Sequence, residues 1–192
     1  MSRLAARGYL GGGEGADRVF VPDDCLPDSA RVDGDGWSLG VLHTPGHFGN
    51  HICLSWGRAM FTGDHVMGWS TTVVSPPDGD MAAYIESLRR VAGREDATLW
   101  PTHGPPRDDG RVFVEALVEH RLERERGVLA AVRDGRSSIP EIVQLLYADV
   151  REELHKPAGR SVWAHLTKLV ADGQVCVEGD GAPSLDAVYR AG

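Results

Sequence analysis

Three short loops constrain this chain more than anything else in it. They are His43-Thr44-Pro45-Gly46-His47, Phe61-Thr62-Gly63-Asp64-His65 and Pro101-Thr102-His103-Gly104-Pro105. Each follows a run of strand-like residues, and each places an imidazole or carboxylate beside a glycine. Loops after strands are where α/β scaffolds gather reactive groups from distant parts of a chain. Glycine lets the backbone turn sharply and bring a side chain close to an ion. Imidazole and carboxylate are the donors expected for zinc, and a carboxylate can bridge two ions.

The pattern around these loops alternates strand and helix. Residues 37–43, 51–56, 59–62 and 98–101 read as strands, and Val19-Phe20-Val21 as a short one. Met81, Tyr84, Ile85, Leu88 and Val91 recur with helical period, predicting a helix packed on a sheet. A longer helix is expected over 111–132, with Phe113, Ala116, Leu117, Val128 and Val132 apolar. Its charged middle, from His120 to Arg126, is read as a solvent face, with His120-Arg121 as an anion contact in the minority reading. Gly11-Gly12-Gly13 reads as a loop.

After Asp134-Gly135 the texture changes. Ser138-Ile139-Pro140-Glu141 has the form of a capping box with proline in the first turn. A short helix at 151–155 stopped by Pro157, a helix over 158–171 with Gly173 as its cap, and strands at 175–177 and 187–189 complete the pattern. Three helices and a hairpin describe a winged helix-turn-helix domain.

The ordered set H-T-P-G-H, F-T-G-D and P-T-H-G-P closely resembles the later motifs of the metallo-β-lactamase superfamily. The resemblance extends over W-S-T-T-V-V-S-P-P-D-G-D-M from Trp69 and through the carboxy-terminal domain, covering the chain from about Trp37. It points to the subgroup with a carboxy-terminal winged helix. By that resemblance His47 binds a first metal, Asp64 bridges both metals and is the catalytic carboxylate, and His103 binds the second. A hydroxide held between the ions then attacks a carbonyl or phosphoryl centre. The family's earliest motif, H-x-H-x-D-H, does not occur, because the first histidine is His43.

The expected fold is therefore α/β: the second half of a metallo-β-lactamase αββα sandwich (residues 1–110), a connecting helix (111–136) and a winged helix (137–192). The expected function is hydrolysis of an ester, thioester or phosphodiester using one or two zinc ions. With half the ligands lacking, the chain alone is expected to be weakly active or inactive. The other readings are a nucleic-acid (RNA) processing or binding protein, and a non-catalytic remnant acting by association. The substrate is then a small molecule or a phosphodiester, and the partner a second copy or a complementary fragment.

For the remaining histidines, His43 reads as a loop brace and His51 as a core histidine or one that supports a ligand. His65 is read as either a supporting residue or a substitute ligand. His155 and His165 read as surface or packing residues. Trp163 reads as a packing residue, with base stacking as the alternative.

Charge narrows the partners. The chain carries 20 Lys/Arg and 28 Asp/Glu for a net −8. Residues 137–192 hold five basic against eight acidic residues, 5 − 8 = −3. Both counts argue against duplex nucleic acid and against an anionic membrane surface. Cys25, Cys53 and Cys176 are far apart and odd in number, so buried reduced thiols are expected rather than disulfides. With no apolar span and no signal-peptide core over the first fifteen residues, a cytoplasmic location is expected.

Overall fold

The computed structural model describes residues 21–95, 98–179 and 181–192. Val19, Phe20 and the Gly11–Gly13 loop lie outside them, and Val21 is irregular. A five-stranded sheet runs in the order β1 (Arg31–Gly34), β2 (Trp37–His43), β3 (Ile52–Trp56), β4 (Ala59–Gly63), β5 (Thr98–Pro101). β1 to β4 are antiparallel neighbours, and β5 joins β4 in parallel after the crossover helix α1 (Met81–Ala92). β1 was not foreseen. Its signal was the Asp35-Gly36 pair, which closes a two-residue hairpin between Gly34 and Trp37 with Gly36 at φ +76°.

The period-two alternation of the strands sends one set of side chains inward. Leu42 pairs Cys53 and Met60 pairs Leu99 on the face that packs against α1. Met81, Tyr84, Ile85, Leu88 and Val91 of α1 fill that core as the helical period predicted. Asp80 caps α1 by accepting from the Ala83 N–H at 2.9 Å. The alternate positions face the other way, along the register Val41–Leu54–Phe61–Trp100. On that face Trp37, Trp56, Phe61 and Trp100 are exposed.

α2 (Gly110–Arg133) is shared between two cores. Val114 and Leu117 belong to the core under the sheet. Val128, Ala131 and Val132 belong to a second core with α3 (Ile139–Leu146), α4 (His155–Ala171) and the hairpin β6 (Val175–Val177) and β7 (Tyr189–Ala191). The winged helix thus has two α-helices and a one-turn 3₁₀ helix (Glu152–Leu154) of its own, and takes another helical wall from α2. In α3, Glu141 accepts from the Ser138 N–H at 3.0 Å, closing the expected box. Pro157 does not stop a helix. It lies in the first turn of α4, where its missing N–H is one of the groups with no intrahelical partner.

The charged middle of α2 departs from expectation most. Arg121 is buried at 4% exposure, and the Glu125 side chain is 13% exposed. Both turn inward because acceptors and donors wait there: the Thr72 carbonyl for Arg121, and Lys168 of α4 for Glu125 at 2.9 Å. The cysteines differ as well. Cys53 is buried, but Cys25 is exposed and Cys176 is partly exposed.

Candidate metal centre

β2, β4 and β5 run in the same direction, so the three loops emerge at one edge of the sheet. The first loop is held rigidly. The Thr44 N–H donates to the His51 carbonyl at 2.9 Å, and Thr44 Oγ1 bonds the His51 Nδ1 at 2.8 Å. Ser87 donates to the Pro45 carbonyl at 2.8 Å, tying the loop to α1. Gly46 has φ +138°, and a Cβ there would stand 2.3 Å from the Tyr84 Cα, so no other residue fits. His43 braces the loop, its Nε2 bonding the Gly49 carbonyl at 3.0 Å.

His47 Nδ1 meets the Val73 carbonyl at 2.7 Å. A carbonyl only accepts, so Nδ1 carries the proton and Nε2 keeps its lone pair for an ion. Asp64 follows β4 with its side chain 18% exposed, and its Oδ1 is buried with no hydrogen-bond partner. That oxygen faces the His103 Nε2 at 3.5 Å, too far for a hydrogen bond of normal length.

His51 and His65 lie behind this edge. The His47 and His51 rings are 6.5 Å apart, and those of His51 and His65 are 5.7 Å apart. Gly63, at φ +53°, leaves room for the His51 imidazole, whose Nε2 would be 2.8 Å from a Cβ there. Burial, with His47 adding to it against the opposing pull of Asp64, drives His51 down to about 4. Burial and His51 drive His65 down to about 3. Both rings are therefore neutral at pH 7. His65 is fully buried against the Tyr84 ring at 5.0 Å, and both of its ring nitrogens are buried without a hydrogen-bond partner.

The donors fit a metal in chemistry. A buried carboxylate oxygen without a partner is costly unless a cation meets it, and imidazole nitrogens accompany it. They do not fit in number. Among the described residues no group of three or more His, Cys, Asp or Glu side chains gathers as a metal site. Asp64 and His103 are within ion-pair distance, while the His47 ring lies 6.5 Å from that of His51 on the same edge.

Residues 2–103 match the family model of the metallo-beta-lactamase superfamily. The chain belongs to that superfamily. The match begins well before Trp37, so the weakly patterned opening of the sequence also falls within it. Residues 138–182 match the beta-lactamase associated winged helix domain. Among relatives, the chain is 31% identical over 166 residues to the beta-lactamase-like protein 2 homolog of Caenorhabditis elegans, covering 84% of this chain and 53% of that protein. It is 33% identical over 158 residues to the atrochrysone carboxyl ACP thioesterase of Aspergillus chevalieri, covering 77% of this chain and 50% of that protein. This superfamily member thus spans about half the length of the curated relatives it matches. A beta-lactamase domain protein from Burkholderia ambifaria shares the fold with a TM-score of 0.75 at 25% identity, over 87% of this chain and 52% of that one. A metallo-beta-lactamase family protein from Thermus thermophilus does so with a TM-score of 0.72 at 24% identity, over 87% and 54%.

The position of Arg121, reaching from the middle of α2 to the loop at Thr72, is not legible in the sequence. A lone arginine in a charged run gives no sign of what it will meet.

Proposed function

We propose that this chain serves metal-dependent hydrolysis of an ester, thioester or phosphodiester, with His47, Asp64 and His103 supplying one side of the metal centre. The observation that carries the reading is Asp64 Oδ1, buried without a hydrogen bond and facing the His103 Nε2 at 3.5 Å. Zinc suits this donor set best. An ion held there by these and further donors would supply Lewis acidity and an activated water near neutral pH. The chain's own residues hold the arrangement: Val73 fixes the tautomer of His47, and Thr44 orients His51. The thioesterase named among the relatives favours an acyl thioester within that substrate class. Two or fewer donors at one point favour weak activity of the chain alone, with the other ligands coming from a complementary fragment or a second copy.

The winged helix supports the hydrolase reading over the nucleic-acid one. Trp163 is 9% exposed in its core and has no free face for a base. No helix among the described residues is long and apolar enough to cross a membrane, and a cytoplasmic location is proposed with that in view.

The test uses a simple acyl thioester and bis(p-nitrophenyl) phosphate with added zinc, with and without a fragment bearing H-x-H-x-D-H. Thioester turnover is expected to rise with the fragment and to vanish in Asp64→Ala and His103→Ala. Turnover that survives both substitutions removes the assignment.

A further inference from the structure

Several features lie outside the metal edge. A shallow groove between α1 and α2 is lined by Arg89, Gly93, Arg111 and Glu115, but Arg89 and Arg111 already pair with Glu86 and Glu115. Arg121 is different. It is a cation at 4% exposure, its Nε is buried without a hydrogen bond, and its Nη2 donates to the main-chain carbonyl of Thr72. Removing a guanidinium from water is expensive unless something is gained in return.

What it grips is a junction. Thr72 Oγ1 donates to the carbonyl of Asp64 and lies 3.3 Å from the carbonyl of His65. The next residue, Val73, offers the carbonyl that orients His47. The guanidinium also lies 5.3 Å from the centre of the Tyr84 ring, and Tyr84 donates its hydroxyl to the His65 carbonyl at 2.9 Å. The Thr72–Val73 peptide thus connects two of the three candidate donors, and Arg121 is the side chain from α2 that holds it.

We infer that Arg121 is a positioning residue through which the helix shared with the winged-helix core fixes His47 and Asp64. One turn further along α2, Glu125 accepts from Lys168 of α4 at 2.9 Å and faces His165 Nδ1 at 3.5 Å. α4 therefore anchors the same stretch of α2 that carries Arg121. On this account the carboxy-terminal domain acts on the site through main-chain geometry, without touching substrate. The inference rests on the reading of His47 and Asp64 as site residues, but it concerns a geometry measurable without metal or substrate.

The experiment is long-range ¹H–¹⁵N correlation of the histidine rings in the full, labelled chain without metal. In the wild type, His47 is expected as the Nδ1–H tautomer. Arg121→Met keeps the length of the side chain and removes the cation and donors. It is expected to shift the Nδ1–H to Nε2–H ratio of His47 by roughly fivefold, as expected for loosening one hydrogen bond, and to displace the Asp64 amide resonance. Leu166→Ala, in the winged-helix core between His165 and Lys168, loosens the fold but keeps the Arg121 contact to Thr72, so it is expected to shift the ratio by less than Arg121→Met. If Arg121→Met does not fold, Arg121→Gln is measured in its place, since it retains an amide but is too short to reach Thr72. An unchanged His47 tautomer in whichever variant folds overturns the inference, as does an equal shift in Leu166→Ala. A tautomer shift with no hydrolysis by any form of the protein leaves Arg121 as a positioning residue and removes the hydrolase reading alone.

Discussion

The sheet region and the winged-helix region are built from the same materials and finish differently. The winged-helix core closes on itself: Ile142, Val162, Leu166, Leu169, Val175 and Tyr189 are buried from all sides between α2, α3, α4 and the wing. The sheet region buries one face under α1 and α2. Its other face presents exposed Trp37, Trp56, Phe61 and Trp100, and its strand-end loops keep Asp64 Oδ1 buried and unbonded. One region spends its sequence on packing, the other on holding groups in places that packing alone does not favour. Because α2 contributes to both, the two differ in purpose without being separate in stability.

Leu166→Ala should have the largest effect. Removing a fully buried leucine from the closed core is expected to cost about 2–5 kcal/mol. Urea denaturation should show a single transition moved to lower denaturant, since Val114 and Val128 lie on one helix in two cores. Two transitions, with the sheet region unmoved, would break the claim that α2 couples the regions.

Gly46→Ala comes next. The φ of +138° and the 2.3 Å approach to the Tyr84 Cα leave no room for a methyl group. A loss of about 1–3 kcal/mol is expected from strain at such a site, together with a changed His47 ring environment by NMR. A neutral substitution would show that the loop is held less firmly than described.

Substituting the outward face sharpens the contrast from the other side. Trp100→Lys alters a residue 46% exposed, and its effect on stability is expected to stay within roughly 0.5 kcal/mol. Light scattering should show less self-association than in the wild type, because an exposed apolar patch drives contact. Strong destabilisation would mean that this face is part of a core.

The smallest effect is electrostatic. Hydrogen bonds from the Ser138 hydroxyl and from the Ser137 and Ser138 N–H groups hold the exposed Glu141 carboxyl below its ordinary 4.5. A lowered folded-state value means that stabilisation is present above pH 4.5 and is lost as the pH falls through the folded value. Hydrogen exchange in the first turn of α3 should accelerate over that window, beyond the intrinsic pH dependence, and Glu141→Gln should remove the excess. A pH response unchanged in Glu141→Gln would assign it to another group.

Much of this was legible in the sequence. β2 to β5, α1, α2 and the capping box of α3 follow from periodicity and turn chemistry, which are local. The three loops were legible because each couples a glycine to a donor. Arg121 was not, since its burial depends on a carbonyl 49 residues away. Pro157 misled because the same residue stops a helix or opens one, depending on where the first turn falls. The surroundings of His65 were not legible either, since its enclosure by Tyr84 and His51 is set by the fold and not by the loop that carries it.

His47, Asp64 and His103 are proposed to supply one side of a metal centre and not a closed set. Isothermal titration of zinc into the metal-free chain tests this most directly, repeated with Asp64→Ala and His103→Ala. Binding is expected no tighter than about 1 μM, about 8 kcal/mol, against about 10–16 kcal/mol for complete structural sites, and weaker still in both variants. Zinc held tightly and in stoichiometric amount, or binding indifferent to both substitutions, would contradict it.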